Sequence, residues 1–212
     1  MVKIETILAV LKKKRPIFHS EADFQHALAW EIHRQLPKAS IRLEMPIQVR
    51  NRTIHVDIYI FYQNETMAVE LKYKTRALSI DIGSEKYRLK SQSAQDTGRY
   101  DFLKDIYRLE QVGKQYDNFA GIAVLLTNDS AYWTKPTSTE TYDASFRLHD
   151  ERVVEGHMGW SDKASSGTKR GREQPIELAG KYPLHWTDYS QPSTGKYGKF
   201  RSLIVRVVES NK

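Results

Sequence analysis

Apolar residues recur at helical spacing near the start of the chain, at Ile4, Ile7, Leu8 and Leu11, and the pattern stops at Pro16 behind Lys12, Lys13, Lys14 and Arg15. Proline cannot continue a helix and cations suit a helix C-terminus, so the spacing predicts a short first helix. Ser20 followed by Glu21 and Asp23 reads as an N-cap with an acidic first turn, and the stripe Phe24, Leu28, Ile32 and Leu36 carries a second helix to Pro37. From Ser40 the period changes to two. Ile41, Leu43 and Met45 alternate with polar residues, and the stretch from Ile54 to Tyr62 is β-branched and aromatic. A turn at Gln63, Asn64 and Glu65 leads to a strand from Met67 to Tyr73, and Leu78 to Ile82 and Tyr87 to Leu89 flank Gly83-Ser84 as a hairpin. Together these predict a continuous antiparallel run.

Phe102, Ile106, Leu109, Val112 and Tyr116 mark a long helix beginning near Asp96, and residues 121–127 after it read as a strand buried on both faces. Strand, helix and buried strand predict a right-handed crossover to a parallel neighbour, which makes the sheet mixed. Beyond Ser130 the pattern weakens into short aromatic segments, a basic stretch over 165–172 read as flexible, and a closing strand from Arg201 to Val208. There is no internal repeat and no clear linker. The expected fold is α/β, a mixed central β-sheet flanked by α-helices, in one domain over 1–212 with its core at about 18–127 and an extension at about 128–212.

The length of 212 residues fits one domain, and 40% hydrophobic residues suffice for a core. The longest uninterrupted apolar stretch, Ile122 to Leu126, falls far short of the roughly 18 residues a membrane span needs. In the first residues the basic cluster follows the apolar ones, the reverse of a signal peptide, so a cytoplasmic location is expected. The chain has no cysteine, which excludes disulfides, thiolate zinc sites and cysteine nucleophiles. A net charge of +7 suggests an anionic partner without identifying one. The chemistry must come from carboxylates, Lys, His, Ser and Tyr, with a hard metal where one is used.

Glu70-Leu71-Lys72 is the only acid-x-Lys triplet present, where about two would arise by chance in this composition. Its context gives it weight. Side chains alternate along a strand, so Glu70 and Lys72 share one face while Val69, Leu71 and Tyr73 share the other. Asp57 interrupts the apolar run Val56 to Ile60, and Asp is depleted in strands. A short turn lays that strand beside the one carrying Glu70. Two neighbouring carboxylates repel unless a cation lies between them, and oxygen ligands select Mg²⁺, Mn²⁺ or Ca²⁺ over softer metals.

This pattern resembles the PD-(D/E)xK nuclease superfamily, the restriction-endonuclease-like fold: an acid in an early helix, an Asp on one strand and acid-x-Lys on the next. Here the corresponding residues are Glu21, with Glu31 as the alternative, then Asp57, Glu70 and Lys72. The likeness covers residues 18–127, and Val56 stands where the family's name-giving Pro would be. The resemblance implies a nuclease that hydrolyses DNA phosphodiesters with Mg²⁺ or Mn²⁺. Asp57, Glu70 and the Leu71 carbonyl would hold the ion, Lys72 would position or help deprotonate the attacking water, and Glu21 would bind a second metal or orient water. The other readings are a non-catalytic member of the same fold that binds nucleic acid or protein, with these residues as a structural ion pair, and an RNA nuclease. A homodimer would suit two-strand cutting.

Gln95 and Arg99 lie one helical turn apart and could present one face to a phosphate. Lys169, Arg170 and Arg172, and Lys196 and Lys199, sit in Gly-containing stretches that could contact a backbone. His19, His26 and His33 recur every seven residues, which on a helix is about 10.5 Å, too far for one ion. Trp133, Trp160 and Trp186 with Tyr182 and Tyr189 read as core or lining.

Overall fold

The computed structural model describes residues 3–138 and 140–208. Helix α1 (Ile4–Lys14) buries Ile4, Ile7, Leu8 and Leu11 and ends in three lysines. Helix α2 (Glu21–Gln35) is capped by Ser20, whose hydroxyl accepts from the Asp23 amide at 3.1 Å. Three antiparallel strands follow: β1 (Ser40–Val49), β2 (Arg52–Tyr62) and β3 (Glu65–Lys74). Gln63 and Asn64 turn β2 into β3 with φ of 49° and 64°, the left-handed pair that a two-residue hairpin needs. β1 runs past the expected Met45 through Pro46 to Val49. It is an edge strand, where a proline removes no needed ladder bond.

Helix α3 (Gln95–Gly113) then crosses to β6 (Phe119–Thr127), which pairs parallel to β3 from Thr66↔Phe119 to Lys74↔Thr127. All nine β6 residues are buried, as their unbroken apolar run predicts. Strand β10 (Phe200–Val208) pairs antiparallel to β6, and β9 (Trp186–Ser190) closes the edge. The mixed six-stranded sheet has the order β1-β2-β3-β6-β10-β9. Its two faces organise two cores. One holds α1, α2 and the side chains of Val69, Leu71 and Tyr73; the other holds α3 with Val56, Ala68, Ala123 and Leu125. At the crossing of α3 over β6, a Cβ on Gly121 would sit 2.9 Å from the Leu109 Cβ and 3.1 Å from the Val207 Cβ, so the close seating of α3 requires glycine there.

The expected antiparallel run stops at β3. β4 (Leu78–Ile82) and β5 (Glu85–Leu89) form a hairpin of their own, outside the six-stranded sheet. The reason is that the free edge of β3 is taken by β6. The weakly patterned C-terminal third also holds more regular structure than expected. β7 (Val153–Met158) pairs with β8 (Ile176–Pro183), and the basic stretch forms one helical turn, α4 (Ser166–Lys169), capped by Ser165. The β7–β8 ladder skips Ala179 and Gly180, and their amides donate instead to the buried Glu110 carboxylate of α3 at 3.0 and 2.9 Å. The Tyr182 hydroxyl donates to the same group at 2.7 Å. The first and last elements are joined by the Arg206–Glu5 ion pair, and the Tyr189 hydroxyl donates to the Arg15 carbonyl at 2.8 Å. Among the described residues no helix is long and apolar enough to cross a membrane.

Glu110 satisfies three donors from β8, so its loss leaves buried polar groups without partners. Glu110→Ala is expected to cost about 2–4 kcal/mol in urea unfolding, against less than about 0.5 kcal/mol for the exposed Lys114→Ala one turn away.

Candidate active site

The site begins where two strands part. The β2–β3 ladder ends at Ile58↔Val69, while β3 continues beside β6 to Lys74 and β2 continues beside β1. Past Val69, the β3 amides facing β2 have no strand to donate to. Carboxylates take the place of the missing carbonyls: the Leu71 amide donates to Asp57 Oδ2 at 2.6 Å and the Tyr73 amide to Glu21 Oε2 at 2.7 Å. An acid from β2 and an acid from the first turn of α2 are thereby drawn to one strip of backbone, each by a charge-assisted bond. Gln25, one turn beyond Glu21, donates to the Asp57 carbonyl at 2.8 Å and to Glu44 at 2.7 Å, which ties α2 to the same break.

The alternation of β3 sends Glu70 and Lys72 toward α3. Lys72 Nζ meets Asp105 Oδ2 at 2.6 Å and also donates to the Leu71 carbonyl at 3.2 Å. Arg108, one turn on, pairs with Asp105 at 3.1 Å and with Glu70 at 3.3 Å, and donates to the His55 carbonyl at 2.5 Å. Glu70 is 2% exposed and Asp105 4%. The result is a cluster in which the buried Glu70 and Asp105 and the half-buried Glu21 and Asp57 face Lys72 and Arg108.

Burial governs the charge states. It raises the Asp57 carboxyl above its ordinary range, with the Leu71 amide and Lys72 opposing. It pushes Glu70 up to about 9, with Asp105 adding repulsion and Arg108 opposing. Burial pulls the Lys72 ammonium down, but the charge and hydrogen bond of Asp105, with Glu21 and Asp57 behind it, outweigh this and raise it above its ordinary value. Lys72 is therefore a firmly held cation, and Glu70 is reluctant to ionise.

The donor set suits a hard divalent cation. Carboxylates outnumber cations, and Glu70 Oε1 is buried with the Arg108 guanidinium 3.3 Å away but no hydrogen bond. The side chains do not stand as a finished cage: among the described residues no three His, Asp or Glu side chains are grouped to hold a metal ion. Asp57 and Glu21 cap amides, and the Leu71 carbonyl faces Lys72. A bound ion would compete with these bonds.

Other sequence-derived candidates fall elsewhere. Glu31, the alternative helix acid, is buried under Arg34, Lys14 and Gln35; burial raises its carboxyl, but their hydrogen bonds prevail and hold it at about 2. Gln95 donates to Asp129 at 2.8 Å. Arg99 is 4% exposed and pairs with Asp143 at 2.6 Å, so it offers no free charge to a phosphate; its helix face is buried where an exposed one was expected. Arg172 is held by both oxygens of Asp101 at 2.7 Å, which with the Tyr100 hydroxyl on the Gln174 carbonyl fixes the stretch beside α3. Lys169 is half-buried and Arg170 exposed on that stretch. Lys199 pairs with Asp188, and Lys196 lies over the Tyr197 ring. His19 stacks on Tyr87 and pairs with Glu85, ahead of α2.

Asp105, Arg108 and Gln25 are the members that sequence reading passed over. Asp105 had a visible signal: with Phe102, Ile106 and Leu109 it lies on the stripe that a helix buries, an unusual place for an acid. Comparison with protein-family models, with characterised proteins and with solved structures yields no match.

Glu70 binds a proton when folded that it loses when unfolded above about pH 4.5, so stability falls as pH rises from there toward about 9. Glu70→Gln, which mimics the protonated acid, is expected to raise the melting temperature in EDTA by about 2–4 °C at pH 8 and to change it little at pH 5.

Proposed function

We propose that this chain is a divalent-metal-dependent nuclease of the PD-(D/E)xK type that hydrolyses DNA phosphodiester bonds. The observation that carries this reading is the meeting of Asp57, Glu70 and Lys72 at the break between β2 and β3, with Glu21 capping the next free amide. The mixed sheet flanked by helices agrees with it.

Asp57, Glu70 and the Leu71 carbonyl would hold Mg²⁺ or Mn²⁺, which when bound supplies Lewis acidity at the scissile phosphate and a more acidic water. The protein's own groups do the rest. Lys72 keeps its proton, so its part is to orient the attacking water and offset the charge that develops on the phosphorane, with little capacity to act as a base. Asp105 fixes the ammonium at 2.6 Å, and Arg108 holds Asp105 and Glu70 at the spacing of one helical turn. Burial favours the protonated form of Glu70, so a bound cation would have to offset that preference. Glu21, on the Tyr73 amide, would orient water or a second ion.

One observation favours a second reading, a non-catalytic nucleic-acid-binding protein: the carboxylates Asp57, Glu21 and Asp105 are already engaged by amides and by Lys72. Incubation of plasmid and single-stranded DNA with Mg²⁺ or Mn²⁺ separates the two. Cleavage is expected for the wild type, abolished by EDTA and reduced at least about 100-fold in Asp57→Ala and Lys72→Ala. Folded wild-type protein that cuts none of these substrates would replace this reading with the binding one, and preference for an RNA substrate would reassign the nuclease.

A further inference from the structure

The β1–β2 ribbon outruns the sheet. β3 accompanies β2 only as far as Ile58, so residues 45–49 and 52–56 extend as a two-stranded arm of about 17 Å beyond the last three-stranded pairing. The arm is amphipathic. Ile47, Val56 and the partly buried Met45, Val49 and Ile54 join the core under α3, and the opposite face presents Gln48 paired with Thr53 and Pro46 paired with the exposed His55. Arg50 and Arg52 stand at its tip, both exposed, Arg50 with a φ of 53°.

A groove of about 970 Å³ lies between this arm and α3. Arg50, Arg52, Lys104 and Arg108 line it, and its acids are Glu44, which Gln25 engages, and Asp57 of the candidate site. Among the described residues no ion pair holds Arg50, Arg52 or Lys104. Three exposed cations outside any such pair, of which Lys104 also lies 5.8 Å over the Tyr100 ring, therefore line a channel that ends at the carboxylate through which a metal would act. An uncompensated cationic groove is unfavourable in isolation and suits a polyanion whose charges repeat along its length.

We infer that the groove between the β1–β2 arm and α3 is the track along which duplex DNA is held, with Arg50, Arg52 and Lys104 on its phosphates and the scissile phosphate delivered to Asp57. This rests on the nuclease reading above and extends it, because it names a surface that the acid-x-Lys pattern does not include. The contacts are to backbone, so the arm holds DNA of any sequence.

The test is binding, measured apart from cleavage. Fluorescence anisotropy of a labelled 20-bp duplex is followed in EDTA from 50 to 300 mM salt. The wild type is compared with Arg50→Ala/Arg52→Ala/Lys104→Ala and with Lys13→Ala/Lys38→Ala/Lys86→Ala, which removes the same charge from exposed sites elsewhere; circular dichroism checks that each is folded. The groove variant is expected to bind at least about tenfold more weakly, with its log K against log salt slope reduced by about 2–3, while the control stays within about threefold of the wild type. Equal losses in the two variants, unchanged binding in the groove variant, or no duplex binding by the wild type would overturn the inference. Tighter binding of a duplex RNA of the same sequence would overturn the choice of DNA. Lys72-dependent cleavage that survives the groove substitutions sinks this track and leaves the nuclease reading standing; groove-dependent binding without cleavage does the reverse.

Discussion

Two backbone amides of β3, at Leu71 and Tyr73, have lost their strand partner, and the local structure follows from how they are satisfied. A buried N–H without an acceptor costs about 1–3 kcal/mol, so something must reach each one. Carboxylates are the strongest acceptors a protein has, but using them places charge in a poorly solvated cleft. Burial, with repulsion among the acids added, keeps Asp57 and Glu70 reluctant to ionise, and attraction to those acids keeps Lys72 reluctant to lose its proton. Strand separation and the unusual charge states are one phenomenon.

Helix α3 makes that arrangement definite. Its apolar stripe packs on the sheet close enough to require Gly121, and the same stripe carries Asp105 to within 2.6 Å of Lys72. A helix held through backbone-close contacts cannot shift by an ångström without clashing, so the Lys72–Asp105 separation is set by packing as much as by attraction. Arg108 follows at the next turn and divides its guanidinium between two acids and a carbonyl. Glu110, one position beyond Leu109, faces the other way and anchors the C-terminal ribbon, so one helix organises both the site and the extension.

Periodicity made the first two helices, the meander, α3 and β6 legible, because each has a single buried face or none exposed. Asp57, Glu70, Lys72 and Glu21 were legible for a related reason: acids in strands and an acid-x-Lys alternation stand out against an apolar background. The short strands of the last third were not, since β7, β8 and β9 bury only two or three residues each over five to eight positions and owe their pairing to partners such as Glu110 and Trp186 that are distant in the chain. The detached hairpin was misjudged because local pattern predicts strands and not which edges are vacant. Arg99 looked like a surface cation because its partner, Asp143, lies far along the sequence. Charge in a helix is readable; whether a later loop will bury it is not.

Strand β6 has a consequence for how the chain is made. It is apolar up to Thr127 and sits between β3 and β10, and β10 emerges from the ribosome only after residues 128–199 have been synthesised. Until then one edge of an uncharged strand lies open on a sheet of four strands, the kind of edge that recruits a second chain. The nascent protein passes through an interval in which its most buried strand is its most adhesive one, and productive folding is a race between the arrival of β10 and an encounter with a neighbour.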